Sequence, residues 1–240
     1  MPTHNTKIQN IIDLAEKTQN SARALFNQNY LKHPNDKFLG SKVGDLRIIA
    51  RQFSPDLNLD QIKELLQNNY HEIRQLGLFC LTYQFEKARK HDYKHLMELI
   101  FDFYLDNLEY VNNWDLVDCS AKIIVGGQLL ITQEYGILKE LSDSDNLWAR
   151  RVGIVSTLAL IKNNIFEPTL ELAQKSLTDK EPLMHKASGW MLREVGIQNL
   201  EILDEFLDKY KDKMPRVMLR YAIEKHPVDI RAKYLSKELA

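Results

Sequence analysis

The sequence predicts an all-α fold, a curved solenoid of stacked helix pairs, on three observations. Nine Gly and seven Pro in 240 residues are too few for the turn density of a sandwich or barrel, while Leu, Ile, Ala, Lys and Glu abound. Apolar residues recur at three- and four-residue intervals in many short segments, with Asn, Asp, Pro and Gly between them and no convincing alternating strand. The segments also echo one another at a spacing that suits one helix pair per unit. Hydrophobic residues make up 44% of the chain, ample for a core.

Taken in order, the first helical segments are 6–18 and 21–30, the second opened by Ser21, whose hydroxyl can accept an early backbone N–H. A turn in "FLGSKVGDLRIIAR" leads into 43–53; its glycines lack the strand that a dinucleotide site requires. Asp60 can cap 60–69, and 71–87 carries "HEIRQLGLFCLTYQF". Segments 92–106, 113–126 and 132–141 follow, then 146–163, 167–177 and 182–196. The last are 199–211, capped by Asn199, 215–225 and 228–237. Pro182, Pro215 and Pro227 suit first turns, where a missing N–H costs nothing.

Four stretches carry the repeat: "HEIRQLGLFCLTYQF", "NLWARRVGIVSTLAL", "PLMHKASGWMLREVG" and "PRVMLRYAIEKH". Each sets one or two basic or polar residues just inside a helix, ahead of a small-and-apolar run. Gly77 and Gly153 lie 76 residues apart, about two periods, and Ser188 lies 35 beyond Gly153. This is the spacing of HEAT-type solenoids, whose stacked units share one core. No Pro-, Gly- or Ser-rich linker divides the chain, so a single domain is expected over 1–240.

Cys80 and Cys119 sit in apolar helical patterns without metal-ligand spacing and read as small core residues of a reducing compartment. The N-terminus lacks a basic start followed by an apolar run, and no run reaches membrane-spanning length. A cytosolic protein with no membrane partner is expected, nucleoid-associated if the cell is bacterial. The formal net charge of −1 gives no global argument for nucleic acid. Locally, Lys209–Lys233 holds eight Lys or Arg against three Asp or Glu, whereas Asp102–Asp118 carries only acids. The basic stretch is either a phosphate-contacting face or a solvated surface.

Trp114 and Asp118 in "VNNWDLVDCSA" are i and i+4, so a helix puts them one turn apart on one face. They can act together, or Trp114 can pack in the core while Asp118 bonds a neighbouring helix end. Asp115 reads as a first-turn acid favoured by the helix dipole. Trp190 follows Ser188 and Gly189, which keep the preceding turn slim enough for close approach by a partner, and Trp148 reads as a staple ahead of its helix. Arg150 and Arg151, Lys186 and Arg193, Arg216 and Arg220 recur once per unit. They form either a stripe that tracks a phosphodiester backbone or a ladder of salt bridges to acids such as Asp143, Glu194 and Glu224. Gly-rich phosphate loops and Cys/His metal clusters are absent from the sequence, and its seven histidines are scattered.

Together, "YLKHPNDKFLGSKVGDLRIIARQF", "NNWDLVDCSA", "NLWARRVGIV" and "HKASGWMLREVG", in this order over nearly the whole chain, resemble the AlkD family of DNA alkylpurine glycosylases. The W-D-x-V-D and K-A-x-G-W-x-L-R-E helices carry the likeness. The resemblance implies a HEAT-like solenoid holding duplex DNA and releasing cationic alkylated purines, 7-methylguanine and 3-methyladenine, as a monomer without a cofactor. It further implies that Trp114 and Trp190 contact the lesion-bearing deoxyribose, that Asp118 is the catalytic carboxylate, that Arg151 lies near the backbone and that Tyr30 reaches the lesion. A non-catalytic relative that binds damaged or branched DNA is the alternative, and a repeat scaffold for protein partners a third.

Overall fold

Every segment read as helical forms a helix. A computed structural model of the chain describes residues 4–31 and 35–236, with side chains from residue 6 onward. Among the described residues there are fourteen α-helices and no strand, only an isolated parallel bridge between Lys37 and Tyr70. The chain packs as two compact units, Met1–Ile124 and Val125–Ala240.

The first unit contains α1 (His4–Glu16), α2 (Ser21–Leu31), α3 (Val43–Phe53), α4 (Leu59–Leu66), α5 (His71–Lys90), α6 (Lys94–Asp106) and the start of α7 (Trp114–Thr132). Short connections make α4 and α5, and α5 and α6, neighbours. The unit is organised around α5, which packs against α3, α4 and α6 and is buried continuously from His71 to Thr82. Ile73, Leu76, Phe79, Leu81 and Phe85 supply the apolar body of that core. From α3, the Arg47 guanidinium lies 4.2 Å from the Phe79 ring centre and the Arg51 guanidinium 5.6 Å from that of Tyr83, so long basic stems cover the aromatic edge of the core.

The second unit contains the rest of α7, then α8 (Gly136–Asp143), α9 (Leu147–Ile161), α10 (Glu167–Lys175), α11 (Pro182–Gln198), α12 (Leu200–Tyr210), α13 (Arg216–Ala222) and α14 (Val228–Leu235). Here α11 is central, packed on α9, α10, α12 and α13. Its Leu192 joins Leu203, Phe206, Leu207, Met218 and Ile223 in one core. The slim turn at Ser188–Gly189 serves this packing: a Cβ on Gly189 would stand 2.4 Å from the Met218 carbonyl and 2.6 Å from Tyr221 Cβ. The partner that approaches there is α13.

Local details differ from expectation in explicable ways. Asn58 rather than Asp60 caps α4, in a reciprocal capping box with Gln61, and Asn20 rather than Ser21 accepts the Arg23 N–H at 2.9 Å. Asn199 does cap α12, and Pro182 does open α11, whereas Pro215 and Pro227 stand one residue ahead of their helices. Trp148 lies inside the first turn of α9, not before it. Past its expected end at 126, α7 continues to Thr132, because Gly126 accommodates close contact with α9, 2.3 Å from its Cβ position to the Ser156 carbonyl, instead of breaking the helix. It stops at Gln133, which takes a positive φ of 56° while donating to the Leu129 carbonyl. The expected last residue of α14, Lys237, lies outside the described residues.

Two alanine substitutions separate packing from propensity. Gly189→Ala should lower stability by about 1–3 kcal/mol through overpacking of α11 on α13. Gly44→Ala, whose added Cβ meets nothing within 4 Å, should hold or raise the melting temperature, since Ala replaces Gly in a helix. Thermal denaturation of the pair checks this; equal losses at both positions would contradict the packing account.

Candidate functional site

A cleft of about 570 Å³ opens in the first unit, walled by α2, the 41–43 turn, the start of α5 and the start of α7. Its aromatic wall is continuous. Phe26 and Tyr30, one turn apart on α2, stack at 5.6 Å between ring centres, and Tyr30 meets Trp114 edge-on at 5.8 Å. Phe26 and Tyr30 are more than half exposed, unusual for rings in a helix that buries none of its residues. Arg23 and Lys42 line the same cleft.

The opposite wall is polar and buried. Glu72 accepts from the Leu39 and Gly40 amides, both at 2.9 Å, and from Asn27 Nδ2 at 3.2 Å, which fixes the turn facing α5. That turn requires Gly40, whose φ is +74° and whose Cβ position lies 2.1 Å from the Asn20 carbonyl. Next to Glu72, the His71 ring lies between two carboxylates, Nδ1 3.1 Å from Asp36 Oδ2 and Nε2 2.7 Å from Asp115 Oδ2. Burial on its own lowers the imidazolium's pKa, but the bonds to Asp115 and Asp36 outweigh it and push His71 up to about 9. Arg74 donates to Asp36 at 2.6 Å and to Asn112 Oδ1 at 3.1 Å, just ahead of α7.

The helix start on α7 places its two aspartates differently. Asp115, a first-turn acid as expected, also lines the cleft and accepts from His71 and, at 3.3 Å, from Gln75; its Oδ1 is buried without a protein hydrogen-bond partner. Asp118 is half-buried one turn on, and with Asp115 it adds to the burial that pushes the Cys119 thiol upward. It also adds to the rise of the buried Tyr104 phenol, which bonds Ser120 at 2.9 Å.

In the second unit the basic residues at helix starts take mostly internal partners. Arg150 donates to Asp179 Oδ2 at 2.8 Å and to the Ser144 and Asp145 carbonyls at 3.0 Å. Arg151 is only 5% exposed and donates to the Leu183 carbonyl at 2.7 Å. Trp190, half-buried, donates its indole N–H to Glu194 at 3.1 Å, and Glu194 also takes Lys162 at 3.3 Å and Arg193 at 3.4 Å. Arg193 further pairs with Glu224, and Arg216 donates to the Leu235 carbonyl. Arg216 and Arg220 are exposed, and Lys186 is half-buried.

Thus Tyr30 and Trp114, distant in sequence, meet on one wall, while Trp190, Arg150, Arg151, Lys186, Arg193, Arg216 and Arg220 belong to the second unit. Phe26, His71 and the tie from Asp115 to α5 escaped the sequence reading. The signal for Phe26 was its i−4 spacing from Tyr30. For His71, a polar first turn ahead of the apolar run Leu76–Leu81 was the available sign.

Fold and site define an all-helical protein with a cleft walled by aromatic rings on one side and buried ion pairs on the other. The chain belongs to the DNA alkylation repair enzyme family, whose model matches residues 12–226, and its role lies in alkylation repair of DNA. It is similar in fold to a structure described as a predicted DNA alkylation repair enzyme from Enterococcus faecalis, with 18% identity, a TM-score of 0.71, and coverage of 88% of this chain and 98% of that one. A second similar structure, smu.31 from Streptococcus mutans UA159, gives 18% identity and a TM-score of 0.52, covering 82% of this chain and 93% of that one. No curated protein matches the chain. Among the described residues no helix is long and apolar enough to cross a membrane.

The His71 environment makes a signed prediction. A folded pKa of about 9 lies above the ordinary 6.5, so its stabilisation is complete below pH 6.5 and is lost as pH rises through 9. Urea denaturation across this window should show the protein losing about 3 kcal/mol relative to His71→Gln, which starts less stable and lacks that slope. Parallel pH profiles for the two proteins would refute the imidazolium assignment.

Proposed function

We propose that this enzyme is a monofunctional DNA glycosylase, acting as a monomer and without a cofactor from a single HEAT-like repeat domain over residues 1–240. It hydrolyses the N-glycosidic bond of cationic alkylated purines, chiefly 7-methylguanine and 3-methyladenine, in duplex DNA. The observation that carries this is the Tyr30–Trp114 contact at 5.8 Å. The family resemblance assigns each of these residues to the lesion separately, and they meet on one wall of a cleft in a DNA alkylation repair enzyme.

A purine alkylated at N7 or N3 already carries positive charge. When the C1′–N bond breaks, its electron pair neutralises the departing base, so no protonation of the base is needed. The demand falls on the sugar, which develops oxocarbenium character. In this reading the Asp118 carboxylate stabilises that charge and orients the water whose oxygen bonds to C1′, taking up its proton. The Trp114 indole offers its negative ring face to that cation, and the family resemblance gives Trp190 the same kind of contact with the deoxyribose. Arg151 lies near the backbone, and Tyr30 adjoins the lesion.

Release of free 7-methylguanine from a defined duplex is the direct measurement. Asp118→Asn keeps size while removing the anion and should cut the single-turnover rate about a hundredfold, with melting temperature and DNA affinity nearly preserved. A variant that loses stability while its folded fraction keeps the full rate would assign Asp118 to architecture. Efficient release of the neutral bases uracil or hypoxanthine would sink the cationic-leaving-group mechanism.

Phosphate contact is assigned to the exposed cations and to Lys186, with Arg150 and Arg193 serving chiefly as ties within the unit. Arg220→Glu should weaken binding to unrelated duplexes alike and flatten the logarithmic salt dependence by about one unit or more. Arg150→Ala should lower the melting temperature more than it lowers affinity. Reversal of the two effects would return Arg150 to the DNA-contacting stripe.

A further inference from the structure

We propose that His71 is a positioning residue for Trp114: as an imidazolium joining Asp36 to Asp115, it locks the first turn of α7 and thereby the aromatic wall of the cleft. The inference concerns a residue outside the excision chemistry. In its catalytic consequence it rests on the glycosylase reading, but its structural claim is testable without it.

The geometry carries the argument. Both ring nitrogens of His71 face carboxylate oxygens, at 3.1 and 2.7 Å, and the residue is only 1% exposed. A neutral imidazole has one N–H and one lone pair, so one of the two contacts would then set a lone pair against a carboxylate. Only the imidazolium donates to both. The two contacts end on different segments: Asp36 lies in the loop that Lys37 joins to α5 through the His71 amide at 2.9 Å, and Asp115 follows Trp114 directly.

Other bonds converge on the same turn. Gln75 reaches Asp115, Arg74 reaches Asn112, and Asn113 accepts the Trp114 amide at 2.8 Å. Each of these is neutral or permanently charged, so among these ties His71 is the one that pH can switch. The charged groups around it come from every wall: Asp36 from the loop, Asp115 from α7, Arg74 and Glu72 from α5, with Arg23 and Lys42 lining the cleft. Glu72 is engaged by the 39–40 amides, and Arg74 by Asp36. Deprotonation leaves the ring a single N–H for two carboxylates, so one of its contacts turns repulsive and the tie that runs from Asp36 through His71 to the first turn of α7 is broken. The pKa of His71, pushed up to about 9, keeps the lock closed at neutral pH.

The test labels the three tryptophans with 5-fluorotryptophan and assigns the Trp114 fluorine resonance by Trp114→Phe. In the otherwise unchanged protein that resonance should move between pH 6 and 10 with a midpoint near 9. Asp115→Asn, which leaves one carboxylate on the ring, should shift the midpoint toward neutrality, and His71→Gln should abolish the transition. Loss of alignment of this kind should also slow single-turnover 7-methylguanine release by His71→Gln about tenfold at pH 7.5 with DNA affinity unchanged. A Trp114 resonance that stays flat over this range in the unsubstituted protein, or titrates identically in His71→Gln, overturns the inference, and so does an unaltered release rate in a folded His71→Gln. If the resonance titrates as described while the unsubstituted protein releases no base, the positioning role stands and the glycosylase reading falls.

Discussion

The constraint on which the rest of the first unit depends is the burial of a charged helix start. His71, Glu72, Arg74 and Gln75 all lie within 5% of full burial at the head of α5. Stripping water from such groups costs several kcal/mol each unless every charge is met. The chain meets them from four directions: the 39–40 amides and Asn27 for Glu72, Asp36 and Asp115 for His71, Asn68 and Asn112 for Arg74. Satisfying that head forces the 36–41 loop, the end of α2 and the start of α7 into one arrangement, and the cleft is the space this arrangement leaves.

The second unit applies the same device with the signs rearranged. Arg150 and Arg151 at the head of α9 reach toward the head of α11, through Asp179 and the Leu183 carbonyl. Glu194, further along α11, gathers Lys162 from the end of α9 and the indole of Trp190. The recurrent polar helix start is therefore first a means of tying one helix pair to the next. A buried ion pair adds little net stability, yet removing one partner is costly, so such ties specify register between helices more than they strengthen it.

Much of this was legible in the sequence. The helices were readable because apolar spacing of three and four persists in each segment, including α7 with its W-D-x-V-D start. Their ends were less so: the Gly126–Gly127 pair looks like a stop, and only the position of Ser156 across from it shows that glycine there serves close packing. Of the candidate residues, Trp114 and Tyr30 were found through motif likeness, and their contact could not be read from spacing because it depends on how α2 meets α7. The choice between stripe and ladder was also beyond the sequence. Arg150 and Arg193 have acids at many separations along the chain, and the pairs formed, to Asp179 and Glu224, depend on which helix ends are brought together. His71 was hidden for a related reason: both of its carboxylates lie more than thirty residues away.

The charge balance under the cleft bears on what the site can attract. Asp36 and Asp115 are matched by the His71 imidazolium and Arg74, so these two carboxylates add little net field at the cleft wall, while Glu72 is held by the 39–40 amides and Asn27. Beside the polar wall of His71, Glu72 and Asp115, the cleft is faced by the rings of Phe26, Tyr30 and Trp114, which attract a cation weakly and a planar group by stacking, and by the basic side chains Arg23 and Lys42, which attract phosphate. Under the glycosylase reading this division is useful. A carboxylate left unmatched at the wall would repel the polyanionic backbone before any chemistry began. Pairing Asp115 with His71 removes that penalty while keeping α7 anchored.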